Sequence, residues 1–119
     1  MSIITLLSDF GLQDSYVAEM KAVILSIDRN AILVDITHEI PKYSIRSGAF
    51  ALASAAPYFP KGSIHLAVVD PSVGSRRKPI VVETRKSLYV GPDNGLLMLA
   101  ANTEGINRVF EITQKKFLR

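Results

Sequence analysis

The stretch "IITLLSDFGLQDSYVAEMKAVILSIDRNAILVDI" (residues 3–36) lays down a strand, a helix and a second strand in succession. Residues 2–8 are apolar and β-compatible and read as a buried strand. From Asp14 to about Ile27, the apolar residues Val17, Met20, Val23, Ile24 and Ile27 keep helical spacing. "AILVDI" (31–36) is the second strand. Between the first two elements the apolar run stops at Asp9, with Phe10 and Gly11 behind it. A carboxylate and a glycine at that point need a reason.

Outward from this unit the alternation continues. Ser44 is placed to cap a helix carrying Ile45, Ala49, Leu52, Ala53 and Ala56, which Pro57 and Pro60 close. "SIHLAVVD" (63–70) reads as a third strand, and "PIVVET" (79–84) and "SLYVG" (87–91) as two short ones. "NGLLMLAAN" (94–102) is predicted helical and "RVFEIT" (108–113) a last strand. Strands alternating with helices predict an α/β layered fold with a largely parallel sheet. No repeat, low-complexity tract or internal linker interrupts it.

Composition narrows the function classes. A chain of 119 residues, 48% of them apolar, has room for one domain with a real core. Its net charge of +3, without a lysine-rich run, does not imply nucleic acid. No apolar stretch approaches the roughly 20 residues of a membrane span, so no membrane partner is expected. No signal-peptide pattern precedes the first strand, and with no cysteines there are no disulfides, thiol nucleophiles or thiolate metal sites. A cytoplasmic location is the default expectation.

Three strands each reach an aspartate near their carboxyl end: Asp9, Asp35 and Asp70. In open α/β sheets ligands bind in the crevice beyond those ends. Any one such aspartate is also explained by turn or capping chemistry. The three together favour a polar site on one rim, without naming its ligand.

Several motifs fall away. "DFG" follows the first strand with no kinase catalytic loop or nucleotide-covering loop before it. Neither GxxxxGK[ST] nor GxGxxG occurs. His38 and His65 lack metal-ligand spacing. His65, inside a strand pattern, reads as packed; His38, in "DITHEIP", lies on a rim loop, and its role stays open. In "VVDPSVGSRRKP" (68–79) Pro71 stiffens a turn and Gly74 lets the backbone fold back. Arg76 and Arg77 then return positive charge towards Asp70, which would keep that carboxylate ionised and aimed. A plain basic surface loop accounts for the stretch equally well. "VGPDNGLL" (90–97) reads as a turn before a helix, with Asp93 and Asn94 serving the turn.

"LLSDFGLQDSYVAEMKAVI", "VDITHEIP", "SGAFALASAAPYFPKGSIHLAVVDPSVGSRR" and "PDNGLL" occur in order and at fixed spacing. Together they resemble the S-adenosyl-L-methionine (SAM) hydroxide adenosyltransferases, the SAM hydrolases that form adenosine and methionine and are relatives of the SAM-dependent fluorinase and chlorinase. The resemblance covers essentially the whole chain and only the family's N-terminal domain. It implies a three-layer Rossmann-like domain over residues 1–119, without the family's C-terminal β-barrel. Asp9 matches the aspartate that holds the ribose 2′- and 3′-hydroxyls, a fork suited to a carboxylate. Asp14 matches a position near the methionine amino group. Tyr43 lies where halogenating relatives carry an aromatic residue against the reacting carbon. Asp70 and Arg77 match two members of the hydrolases' Asp-Arg-His water-activating set. In the fluorinase a tyrosine stands at the place of Asp70 and a threonine at that of Val73, so Asp70 argues for water over halide.

The implied reaction is attack of water at ribose C5′ opposite the sulfonium, with SAM as substrate and no cofactor or metal. Two departures stand out. Ser72 replaces the family's usual glycine, and the family's catalytic histidine lies beyond Arg119, matched by neither His38 nor His65. Either the chain is a fragment of a longer protein, which the resemblance implies is a homotrimer, or it has lost the third catalytic member; alone it is expected to be inactive. The rival from another class is a non-catalytic adenosine- or SAM-binding module; a SAM-dependent halogenase is disfavoured by Asp70.

Overall fold

The computed structural model describes residues 2–71 and 79–112. Six strands and three helices follow one another as β1 (Ile3–Ser8), α1 (Tyr16–Ile27), β2 (Ile32–Thr37), α2 (Ile45–Ala55), β3 (Ile64–Val68), β4 (Pro79–Thr84), β5 (Leu88–Pro92), α3 (Met98–Glu104) and β6 (Ile106–Glu111). A 3-10 turn, Ala56–Tyr58, carries Pro57 and ends α2, as the proline predicts. No described helix is long and apolar enough to cross a membrane.

The strands form one sheet in the order β2-β1-β3-β5-β4-β6. β1 pairs parallel with β2 and β3, and β3 parallel with β5, whereas β4 runs antiparallel to both β5 and β6. Direction therefore changes at β4 alone, because β4 and β5 are joined by too few residues for a crossover. The predicted parallel character holds with this antiparallel part added.

Cross-strand rows show how the layers sit. The row Thr5–His65–Tyr89–Val82 is fully buried and faces α2 and α3. Leu7, Leu52, Ala67, Val69, Leu96 and Leu97 share that core. Gly48 makes the close approach possible: a Cβ there would lie 2.8 Å from Leu96 Cδ1 and 3.2 Å from Val69 Cγ2. The next row, Asp35–Leu6–Leu66–Val90–Val81–Phe110, points to the opposite face. There α1 lies over one end, tied by Lys21 Nζ to Asp35 Oδ2 at 2.8 Å. Leu6 is fully buried, Leu66, Val90 and Val81 are half-buried, and Phe110 is 46% exposed. Helices thus cover both faces, with α1 alone on the second among the described residues.

The last helix and the last strand start elsewhere than the pattern reading has them. α3 begins at Met98 rather than Asn94 because the Asn94 side chain is used elsewhere: Nδ2 donates to Val69 O (2.9 Å) and Oδ1 accepts from Leu96 N (3.0 Å). That asparagine builds the turn, as the sequence indicated. β6 starts at Ile106, since Gly105 (φ +84°) ends α3 and turns the chain straight into the strand.

Candidate active site

The order of strands locates a crevice before any side chain is considered. From β1 the chain crosses through α1 to β2 on one side, and then from β2 through α2 to β3 on the other side of β1. The helices α1, which leaves β1, and α2, which leads into β3, lie on opposite faces, so the winding reverses between β1 and β3, the topological switch point where open α/β sheets bind ligands. Asp9 follows β1 and Asp70 follows β3 by two residues; since Ser8 pairs with Val68, the two aspartates leave adjacent strands at one rim. Asp70 is half-buried.

Asp9 is held, not merely adjacent to the crevice. Its side chain is almost buried, and Oδ2 accepts a 2.7 Å hydrogen bond from the backbone N–H of Tyr43. Tyr43 takes φ +64°, the left-handed region that a bulky residue rarely occupies, so its N–H is turned to the carboxylate at some conformational expense. The next residue, Ser44, caps α2 as predicted, Oγ accepting from Ser47 N at 3.2 Å. The carboxylate consequently sits beside the start of a helix, where negative charge is favoured. Oδ1 of Asp9 makes no hydrogen bond within the described residues and has the lone pairs for a hydroxyl of a ligand. The ring of Tyr43 stays more than half exposed, with Lys42 Nζ 5.6 Å from its centroid.

Gly11 answers the question raised by the opening stretch. At φ +73° its backbone folds the β1–α1 loop back so that Gly11 N donates to His38 O at 2.8 Å. Phe10 packs edge-on against Tyr16 at 6.2 Å, drawing the loop to the start of α1. Asp14 lies exposed in the same loop. That helix starts at Tyr16, two residues later than predicted, and Ser15 Oγ bonds Glu19 Oε2 at 2.6 Å.

Asp35 is the aspartate that the rim reading misplaces. β2 continues to Thr37, so Asp35 is an interior strand residue, level with Leu6 and directed to α1. Besides Lys21 it meets His38: Oδ1 accepts from Nε2 at 2.9 Å. Burial pulls the Asp35 pKa upward, but the hydrogen bonds and charges of Lys21 and His38 outweigh it and hold the carboxyl below its ordinary value. His38 is 3% exposed, and its Nδ1 lies 2.6 Å from Ser8 Oγ. Sequence reasoning missed this serine; its place directly before Asp9 was the available signal.

His65 is packed, as predicted. Its Nδ1 lies 2.7 Å from Thr5 Oγ1, and its ring lies between Phe59 and Tyr89 on the side of the sheet away from the rim. Burial lowers its pKa. Arg76 and Arg77 lie outside the described residues. Asp93 is exposed. Among the described residues, no group of three or more His, Cys, Asp or Glu side chains could hold a metal ion.

Residues 4–119 match the profile of the SAM hydroxide adenosyltransferase N-terminal domain. The chain belongs to that family. Within it, the chain is 47% identical to an (R)-S-adenosyl-L-methionine hydrolase of Methanocaldococcus jannaschii, over 98% of this chain and 46% of the relative. A crystal structure of an uncharacterized conserved protein from Thermotoga maritima superposes with a TM-score of 0.90 at 38% identity, covering 95% of this chain and 44% of that one. A fluorinase from an Actinoplanes species is more distant, 22% identical over 98% of this chain. The chain spans about half the length of these proteins.

Proposed function

We propose that residues 1–119 form the N-terminal domain of a SAM hydrolase, which converts SAM and water to adenosine, L-methionine and a proton. The observation that carries the reading is the pre-set carboxylate of Asp9, gripped by Tyr43 N–H at a switch-point crevice with Asp70 on the neighbouring strand end. The 47% identity to a named hydrolase, against 22% to a fluorinase, supports water over halide.

On this reading Asp9 receives the ribose hydroxyls and Asp14 the methionine ammonium, while the exposed ring of Tyr43 flanks the sugar near the reacting carbon. Water attacks C5′ opposite the sulfonium; the C5′–S bond breaks and its electron pair stays on methionine sulfur. Sulfonium is a good leaving group as it stands, so no general acid or metal is needed for departure. The remaining requirement is an oriented water that can lose a proton. A carboxylate is too weak to deprotonate water before attack, and Asp70 instead accepts the proton as the C–O bond forms. Arg77 keeps Asp70 ionised and aimed. The protein acts in the cytoplasm as a homo-oligomer, a trimer by family resemblance, without nucleic acid or membrane.

The test is full-length protein incubated with SAM, adenosine being followed by chromatography. Asp70→Asn should abolish most of the adenosine formed. Near-normal production by that variant would remove Asp70 from the role. Binding of adenosine without any turnover by the wild type would favour the non-catalytic binding module instead.

A further inference from the structure

A polar chain runs beneath the Asp9 loop and ends in it. Lys21 Nζ lies 2.8 Å from Asp35 Oδ2; Asp35 Oδ1 lies 2.9 Å from His38 Nε2; His38 Nδ1 lies 2.6 Å from Ser8 Oγ; and Ser8 Oγ lies 3.3 Å from the backbone nitrogen of Phe10. Ionised Asp35 can only accept hydrogen bonds, and Lys21 and Phe10 N–H can only donate. In a neutral His38 one ring nitrogen donates and the other accepts. The sense of every bond is then fixed. Lys21 and Nε2–H donate to Asp35, the Ser8 hydroxyl donates to Nδ1, and Phe10 N–H donates to Ser8 Oγ.

The same histidine residue clamps the loop a second time, His38 O accepting from Gly11 N at 2.8 Å. Ile40 N adds a longer bond to Ser8 O at 3.4 Å. Residues 8, 10 and 11 are thus pinned from residues 38–40, and the one between them that carries no such bond is Asp9, whose carboxylate is gripped by Tyr43. Ser8 is fully buried and His38 nearly so, which rules out a serine nucleophile in spite of the Ser-His-Asp connectivity. A polar chain that is buried at His38 and Ser8, has one sense of donation and ends at the flanks of Asp9 is suited to holding that carboxylate still.

We propose that His38, oriented by Asp35 and acting through Ser8, is a positioning residue for Asp9 and so sets how tightly the site takes the ribose end of its substrate. The ligand half of this inference rests on the SAM-hydrolase reading; the loop-ordering half does not.

Three variants of the full-length protein separate the possibilities. Ser8→Ala cuts the chain at its buried end, and Asp35→Ala cuts it at a partly exposed position where folding is little at risk. Thr5→Val breaks the comparable buried pair Thr5–His65 and serves as the core control. Nitrogen NMR of His38 in the wild type should show the proton on Nε2, and Asp35→Ala should shift it towards Nδ1. Amide exchange at Phe10 and Gly11 should quicken roughly tenfold in Ser8→Ala and by less in Asp35→Ala, about the effect of one lost hydrogen bond. KM for SAM should rise roughly tenfold in Ser8→Ala with kcat nearly unchanged, because the ribose grip serves ground state and transition state alike. Thr5→Val should lower the melting temperature and leave KM and loop exchange as they were. An Nδ1–H tautomer in the wild type, or Ser8→Ala with wild-type loop exchange, overturns the proposal. Quickened exchange with an unaltered KM would keep the loop role and refute its link to substrate. If the wild type does not hydrolyse SAM at all, the tautomer and exchange readings still decide the loop role, and it is the functional reading that fails.

Discussion

Replacing Asp9 by alanine should injure the protein twice, and the two injuries can be measured apart. In the fold, Asp9→Ala removes the acceptor of the Tyr43 N–H at 2.7 Å. A hydrogen bond to a charged group contributes about 1.5–3 kcal/mol, so unfolding free energy should fall by about that amount. Part of the loss returns, because Tyr43 no longer needs its left-handed φ of +64°, a conformation costing about 1–2 kcal/mol. The net destabilisation is therefore about 1 kcal/mol, readable in urea denaturation. If Asp9 holds the ribose as proposed, the fork to the diol disappears, and adenosine affinity should drop roughly ten- to a hundredfold by the same bond strength. Titration calorimetry of full-length protein measures it. The wild type should bind 2′-deoxyadenosine poorly, and the variant should bind it hardly worse. Equal losses for adenosine and 2′-deoxyadenosine would take Asp9 out of the ribose site. Tyr43→Gly supplies the internal check: relieving the strain while keeping the N–H should stabilise the fold by up to about 1 kcal/mol.

Other outcomes follow from the packing and the titrating groups. Gly48→Ala drives a methyl to 2.8 Å from Leu96 Cδ1 and should destabilise by about 1–3 kcal/mol, seen as a fall in melting temperature of several degrees. His65, buried with Nε2 lacking a hydrogen-bond partner among the described residues, has a folded pKa below its ordinary 6.5. The unfolded chain then takes up the proton first, so stability is complete above pH 6.5 and falls as pH drops below it, by up to about 1.4 kcal/mol per pH unit. His65→Gln should flatten that limb, while the Asp35 contribution is lost only below its ordinary 3.8; an unchanged slope in denaturation curves from pH 6.5 to 5 would refute the assignment. On the proposed function, Arg77→Ala in the full-length protein should cut turnover strongly and Arg76→Ala mildly, and the reverse order would place the loop register one residue off.

The elements with continuous apolar runs, β1 and β3 above all, were legible because burial alone explains them. Their carboxyl ends put Asp9 and Asp70 on one rim without any structure. Asp35 misled because a strand's end cannot be read from where its apolar residues stop; β2 runs on to Thr37, and two-residue alternation then sends Asp35 to α1. The start of α3 was hidden because Asn94 bonds to Val69 O, a partner 25 residues away. Ser8 and His38 stand 30 residues apart, and Asp9 and Tyr43 34 apart. Such pairs exist only once β1 and β2 are side by side, so no local pattern announces them.

The second face of the sheet carries one more consequence, for how the protein behaves in solution. Along Leu66, Val90, Val81 and Phe110 an apolar row runs from half-buried to about half exposed as it leaves the shelter of α1, ending at the strand that forms the sheet's edge among the described residues. Wet apolar rows at sheet edges invite contact with any similar surface. Dye binding and concentration-dependent light scattering by the 119-residue chain should therefore both trace to this row. Phe110→Lys should quieten both. Because the row crosses the middle of the strands while Asp9 and Asp70 stand beyond their ends, colloidal behaviour and ligand affinity can be tuned independently.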